Sequence, residues 1–352
     1  MNHGPINEPE GSLNSAEDSR PLVSVVIPAH NAAEYIAATL DSVYQQTFSG
    51  YEVILVNDGS PDTPALEAAL QPYLARLRYF QQENRGPSAA RNLGIREARG
   101  RYVALLDSDD LWLPQHLERQ IDSLARHAEL GLIYANNLQF GATGVGRRAF
   151  ETVPQAESVT LESLLAERCT VNTSSVVASR DALLRAGLFD ETLNRCEDFD
   201  LWLRMACQGV RMAYDREVQV KHRLGQGLSS NSRLMKEARA EVYRKAARTL
   251  PLSVEQQSIV AAKLKELEIE IEIEAAKEHL GAGQFREARS AVHRANSLAP
   301  AARLDIAEIG LQHCPRLVRW LYERYIQGLQ WYKLGVSATL RRSVPKAANF
   351  SC

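Results

Sequence analysis

Four short apolar runs, each followed by a polar turn and a helix-like stretch, constrain the fold of this chain more than anything else in it. Leu22 to Ile27 is largely β-branched and closes at Pro28; Ile36, Leu40 and Val43 then recur at helical spacing. Val53 to Val56 ends in Asn57-Asp58-Gly59-Ser60, which carries turn chemistry, and a helix is predicted from Thr63 to Ala75. Leu77 to Phe80 reads as a third strand, and Pro87 opens a helix over Ser88 to Ala98. The fourth run, Val103 to Leu106, stops abruptly at Asp107-Ser108-Asp109-Asp110. Pro114 to His127 is predicted helical, and a further strand starts over Leu130 to Asn136. Strands alternating with helices imply βαβ units, hence an α/β fold whose mostly parallel sheet is flanked by helices.

The acids after the fourth run are placed by that fold. Open α/β sheets bind ligands at the carboxyl edge of their strands. Asp107 and Asp109 form a D-x-D pair at such an edge. Grouped carboxylates suit a hard divalent cation, Mn²⁺ or Mg²⁺, that also bridges phosphate oxygens. On the pair alone, a solvated strand-to-helix turn is an equal reading, since Asp favours turns and caps.

Residues 140–232 are less regular. Ser174 to Ala178 is predicted as a strand, Phe199 to Ala206 as a helix, and Val218 to Lys221 as a short strand before the Gly- and Ser-rich LGQGLSSN. From about Leu234 the composition turns to Ala, Glu, Lys, Arg and Leu, which argues helices to the end. Glu268 to Glu274 (EIEIEIE) alternates with period two, yet its neighbours are strong helix formers and no turn bounds it, so helix is expected. Three regions follow: a disordered 1–20, an α/β domain over 21–232, and an all-α region over 233–352.

Gly283, Phe285, Ala288, Ala295 and Pro300 make residues 276–300 resemble one tetratricopeptide helical hairpin. A single copy makes an appended helical subdomain rather than a solenoid. The segment 315–352 holds seven basic residues against Glu323 alone, interleaved with Trp320, Tyr322, Tyr325, Trp331 and Tyr332. That pattern suits peripheral contact with a membrane surface; packing of the aromatics on the protein body is the alternative.

Composition excludes other classes. The chain is 45% hydrophobic with a net charge of -2, which gives no reason to expect nucleic acid. Its five cysteines are scattered without a C-x-x-C pair, so neither a zinc site nor a disulfide framework is expected, and a reducing cytoplasm is. No signal peptide or bilayer-spanning run is apparent. A dinucleotide-binding G-x-G-x-x-G is missing after Ile27, and PAHNAAEY supplies no nucleotidyltransferase glycine loop.

Five segments in order carry a resemblance: Val23 to Asn31 (VSVVIPAHN), Ile54 to Ser60 (ILVNDGS), Asn84 to Ile95 (NRGPSAARNLGI), Leu106 to Asp110 (LDSDD), and Glu197-Asp198. Over about residues 21–230 the chain resembles the family 2 glycosyltransferases of the GT-A fold. The resemblance implies metal-dependent, inverting transfer of one sugar from a nucleotide-diphosphate sugar to a hydroxyl. The acceptor would be a cell-envelope glycan, a lipid-linked oligosaccharide or a protein. It implies that Pro28, Ala29 and Asn31 line the nucleotide pocket and that Asp58 binds the base, leaning to uridine, with Asn57 in place of the usual first acid. Gly86 would lie in a loop closing over the nucleotide, and Arg91 would either contact the donor or brace that loop. Asp107 and Ser108 would face the donor, Asp109, with Asp107, would hold the metal, and Asp198 would be the general base. His30 is given no catalytic role, and His222 aligns imperfectly with the family's loop histidine. The processive Q-x-x-R-W signature is missing, so single additions are expected. The competing reading is a catalytically silent GT-A domain that recruits partners through its helices. The joint presence of Asp58, Asp107, Asp109 and Asp198 argues against it.

Overall fold

The computed structural model describes residues 20–141, 144–153, 155–224 and 231–325. The chain begins with β1 (Val23–Ala29), α1 (Ile36–Tyr44), β2 (Tyr51–Asp58), α2 (Thr63–Leu70), β3 (Arg78–Gln82), α3 (Pro87–Glu97) and β4 (Tyr102–Leu105). β5 (Leu111–Trp112), α4 (His116–Arg126), β6 (Leu130–Gly141), β7 (Gly144–Arg148), α5 (Ala149–Thr152) and α6 (Leu161–Leu165) follow. Then come β8 (Val177–Ser179), α7 (Arg180–Arg185), α8 (Glu197–Cys207) and β9 (Arg211–Leu224). The rest is helical: α9 (Ser232–Thr249), α10 (Val254–Gly281), α11 (Phe285–Leu298), α12 (Ala302–His313), and a helix described over 315–325.

The main sheet runs β3-β2-β1-β4-β8-β6-β9-β5, with β7 on β6. β1 to β4 are parallel, as expected. Beyond β4 the sheet is mixed: β8 is antiparallel to β4 and β6, β9 is parallel to β6, and β5 is antiparallel to β9. The continuous apolar runs are explained by a sheet covered on both faces. Val26, Ile54, Val56, Val103 and Leu105 face one core, while Val25, Ile27, Val53, Leu55 and Ala104 face the other. α1, α2 and α4 cover the second face, and α3 and α8 the first.

Three local expectations are corrected. The helix from Thr63 stops at Leu70 and continues as a 3₁₀ turn over Gln71–Arg76, because Pro72 cannot supply a helix-interior N–H. Thr173–Ser175 is a 3₁₀ turn and the strand begins only at Val177, since those hydroxyls are spent on hydrogen bonds described below. Val218 to Lys221 is part of a strand of 14 residues whose polar middle, Asp215-Arg216-Glu217, hid the rest.

The EIEIEIE stretch lies inside α10, which is helical for 28 residues. Period two on a helix sends alternate residues to nearly opposite sides. Both sides are occupied: Ile271 packs on the core beneath the sheet, while Ile269 and Ile273 pack on a small core built by α10, α11 and α12. The hairpin over 276–300 is present as the end of α10 and α11, with Ala276, Leu280, Ala288, Ala291 and Ala295 buried between them. Hydrophobic packing also runs straight across residue 232. Ala240, Tyr243 and Ala246 of α9 belong to the core under the sheet, and the Tyr243 hydroxyl donates to Leu165 O at 2.7 Å. Residues 1–19, 225–230 and 326–352, with Trp331, Tyr332, Lys333, Arg341, Arg342 and Lys346, lie outside the described residues. Among the described residues no helix is long and apolar enough to cross a membrane.

Gly94 brings α3 against β1. A Cβ there would collide with Val26 Cγ1, in a stiff and fully buried side chain. Gly94→Ala should therefore destabilise the protein by about 1–3 kcal/mol in urea unfolding, although Ala is the better helix former by about 1 kcal/mol.

His116 of α4 is fully buried, its ring 4.5 Å from the Trp112 ring and tilted 32° to it, with neither ring nitrogen partnered among the described residues. Burial pushes its pKa down to about 3, against a smaller upward pull from Asp215. The unfolded chain binds this proton near the ordinary 6.5 and the folded chain does not, so stability is lost as pH drops from 6.5 towards 3. Relative to His116→Leu, the wild type should lose on the order of 2 kcal/mol between about pH 6.5 and 4.5 in parallel unfolding titrations.

Candidate active site

The strand order reverses beside β1: β2 and β3 lie on one side and β4 on the other. The crevice outside the carboxyl ends of β1 and β4 is where open α/β sheets take ligands. Pro28–Asn31 and Asp107–Asp110 both leave the sheet there.

The loop after β1 is stitched to the turn after β2. Pro28 and Ala29 pair with Val56 and Asn57. Asn31 adopts φ +52°, a left-handed conformation that Asn tolerates, and its N–H donates to Ser60 Oγ at 2.7 Å. Ala33 N–H donates to Asp62 Oδ2 at 2.9 Å. Asn57 is buried and satisfied: its amide donates to Thr63 Oγ1 and the Tyr79 hydroxyl, and its Oδ1 accepts from Ser60 N, all at 2.9 Å. An Asp there could not make the two donations, which accounts for the departure from the family's acid. His30 Nδ1 lies 3.1 Å from Asp58 O, a loop contact.

The Asp58 carboxylate anchors the next loop. Its Oδ1 accepts from Gln82 Nε2 at 2.7 Å and Arg85 N at 2.9 Å, and its Oδ2 from Gly86 N at 2.8 Å. With two acceptor directions per oxygen, one on Oδ2 is left for a ligand. Gly86, at φ +88°, supplies the left-handed turn before α3.

The D-S-D-D turn is held from behind. Asp110 N–H donates to Asp107 O at 3.1 Å. The buried Thr39 hydroxyl lies 2.9 Å from Ser108 O and 3.0 Å from Asp110 O. The buried Asp110 carboxylate takes Arg223 N at 2.7 Å and His222 Nδ1 at 3.0 Å. Arg223 Nε donates to Asp109 O at 2.9 Å, and its guanidinium covers the Tyr35 and Phe140 rings. Burial would lower the His222 pKa, but its bond to Asp110 and the field of Asp107 and Asp109 raise it overall. The Asp109 carboxyl is pushed up to about 6, chiefly by burial, then by Asp110 and Asp107.

Arg91 joins this turn to the Glu-Asp pair. Its side chain is only 8% exposed; one terminal nitrogen sits 2.6 Å from Asp107 Oδ1 and the other 2.7 Å from Glu197 Oε1. Both ends are thus taken by carboxylates, which is a bracing geometry. Burial raises the Glu197 pKa and Asp198 adds to this, while Arg91 opposes both. Asn92 holds the same segment through the Phe189 backbone at 2.9 Å on each side. Cys196, at φ +56°, turns the chain into α8. Asp198 then stands in the first helical turn, its Oδ2 accepting from Thr173 Oγ1 at 2.8 Å and its Oδ1 from Phe199 N at 2.7 Å. Ser174 completes the back wall, receiving Asp107 N at 3.1 Å on its hydroxyl and Trp112 Nε1 at 2.7 Å on its carbonyl.

Arg91 therefore brings Asp107 together with Glu197, the neighbour of Asp198, while Asp58 holds Gly86 before α3. The supports Thr39, Asp110, Thr173, Ser174 and Arg223 were not expected from sequence. Two of them had a signal: Asp110 closes the LDSDD segment, and Thr39 is a hydroxyl at a core-facing position between Ile36 and Leu40.

The model of glycosyl transferase family 2 matches residues 24–191. The E. coli UDP-Glc:alpha-D-GlcNAc-diphosphoundecaprenol beta-1,3-glucosyltransferase WfgD is 30% identical over 183 residues, covering 52% of this chain and 68% of that protein. The chain belongs to glycosyl transferase family 2. An uncharacterized glycosyltransferase of Rickettsia bellii is 31% identical over 211 residues, 58% of this chain but only 30% of that longer protein. The mannosyltransferase PcManGT from Pyrobaculum calidifontis, solved with GDP-Man and Mn²⁺, superposes with a TM-score of 0.57 over 96% of this chain and 92% of its own, at 19% identity. That likeness shows the fold, helical region included.

For this family member a divalent cation fits the donor set. Asp107 and Asp109 offer hard oxygens, and the raised Asp109 pKa comes chiefly from burial, with Asp110 and Asp107 adding to it. Among the described residues no three acidic, His or Cys side chains form a ready-made cage, so the remaining ligands would come from diphosphate and water.

Arg91→Met should destabilise the fold by about 3–5 kcal/mol, because it strands Asp107 and Glu197 without their shared cation. Arg91→Lys should recover only part of this, since an ammonium cannot span both carboxylates as a guanidinium does. Urea titrations of both variants check the order.

Proposed function

We propose that this glycosyltransferase moves one sugar, with inversion, from a nucleotide-diphosphate sugar, most readily a UDP-sugar, to an acceptor hydroxyl. The observation that carries the reading is the Arg91 bridge, which sets the D-x-D turn and the Glu197-Asp198 pair at one site. Pro28, Ala29, Asn31, Gly86, Asp107 and Ser108 would line the donor side, and Asp58 would keep its last acceptor direction for the base. Asp109, with Asp107, would hold Mn²⁺ or Mg²⁺, which supplies charge neutralisation to the departing diphosphate when bound. Asp198 would take the proton of the attacking hydroxyl. Thr173 and the Phe199 N–H aim its carboxylate, and both donate to the charged form. A base on the side opposite the leaving group gives single displacement.

The acceptor class we favour is a cell-envelope glycan or lipid-linked oligosaccharide. The E. coli relative WfgD, named for a diphosphoundecaprenol-linked acceptor, supports this. A protein acceptor is the remaining candidate. The free thiols Cys169, Cys196, Cys207 and Cys314 suit a cytoplasmic setting.

Thermal shifts with UDP, GDP, dTDP and CDP, each with and without Mn²⁺, should single out one nucleotide, and its metal-dependent part should vanish in Asp109→Ala. Asp198→Asn should lower kcat by about 10²–10⁴-fold while leaving that nucleotide shift in place. Unchanged turnover in Asp198→Asn would reject the base assignment. Stabilisation by no nucleotide at all would favour the silent scaffold.

A further inference from the structure

Six large apolar side chains stand exposed on two consecutive helices. Ile306 and Ile309 are on α12, and Leu317, Trp320, Leu321 and Tyr325 are on the helix over 315–325, each between 51% and 71% exposed. Elsewhere among the described residues such side chains occur singly, as at Leu74 and Val254. Residues 317, 320, 321 and 325 follow helical spacing, so they share one face. The other face holds the helix to the protein: Val318 and Tyr322 pack on the small core of α10, α11 and α12. Gly310 permits this approach, because a Cβ there would sit 2.8 Å from Val318 Cγ2. The exposed face is thus presented by a packed scaffold.

Charge favours an anionic occupant at the second helix. On α12 Arg303 stands against Asp305, which accepts from Asn296, and Glu308, which His293 and Arg289 face. Within 315–325, Arg316, Arg319 and Arg324 stand against Glu323, which Arg319 already pairs at 2.7 Å. The Arg324 guanidinium lies over the Trp320 ring at 5.5 Å, placing a cation beside an amphipathic aromatic. The next 27 residues carry four basic side chains and no Asp or Glu. An apolar stripe with Trp and Tyr, flanked by Arg and followed by net positive chain, has the chemistry of a helix lying in an anionic lipid interface. We propose that α12 and the helix 315–325 together dock this protein on an anionic membrane surface. The sequence expectation was confined to 315–352; Ile306 and Ile309 extend the contact to α12. The proposal stands independently of the transfer reaction.

Full-length protein is co-sedimented with vesicles of phosphatidylcholine alone and of phosphatidylcholine with phosphatidylglycerol. The wild type should pellet with the anionic vesicles, less so as salt is raised. Ile306→Glu/Ile309→Glu and Leu317→Glu/Leu321→Glu should each weaken binding about tenfold or more. Arg316→Gln/Arg324→Gln should weaken it on the order of tenfold and remove the anionic preference. The melting temperature of each variant, with and without nucleotide, reports folding and donor binding on the same samples. Failure to pellet with either vesicle overturns the proposal, as does equal pelleting with both. Undiminished pelleting of either apolar pair overturns its share of the surface. A wild-type dimer in light scattering that Leu317→Glu/Leu321→Glu dissociates, without vesicle uptake, would assign the face to a second copy instead.

Discussion

The site depends on one guanidinium. Arg91 is almost wholly buried, and each terminal nitrogen meets a carboxylate from a different part of the chain. Taking a cation out of water is expensive unless close anions compensate it, and here two do. The same pairing offsets one of the two negative charges that it meets. Asp110 is answered by His222 and a backbone N–H, and Asp58 by two backbone N–H groups and Gln82. Asp58, Asp109 and Asp198 are then the acids of this group with no cationic partner among the described contacts. The proposed reaction uses these three together with Asp107.

Neutral groups do the positioning. Thr39 sits behind the D-S-D-D turn, Ser174 behind Asp107, and Thr173 behind Asp198. A hydroxyl can orient a carboxylate or a turn without cancelling its charge, which a Lys or Arg at the same place would do. The region between α6 and β8, irregular in sequence, is where two of these hydroxyls come from. Its polar residues are buried because their bonds are internal to the site.

The helical region divides into two roles. α9 and the first part of α10 complete the core beneath the sheet. Lys245 of α9 reaches Asp190 at 2.6 Å and Asp200 at 2.7 Å, tying that helix to the segment that carries Asp198. The end of α10 with α11 and α12 forms its own small core and faces outward. One long helix serves both because isoleucines two apart on it point to opposite sides.

The parallel half of the fold was legible because its strands are covered on both faces, which leaves uninterrupted apolar runs, and because turn residues and Pro87 mark their ends. The acids were legible as types at strand ends and at a helix start. β9 was largely hidden: the polar Asp215-Arg216-Glu217 interrupts it, and pairing with β6 rather than its own pattern holds it extended. Nor could the sequence say whether Arg91 met a ligand or its own protein. Residues 91, 107 and 197 are far apart along the chain, and only the crossing of α3, β4 and α8 brings them within hydrogen-bond reach. Local pattern determines which segments are strands and where acids emerge, since period and turn chemistry act over a few residues. Tertiary structure alone decides which acids are neutralised and which stay charged, because that depends on contacts between segments that no local pattern encodes.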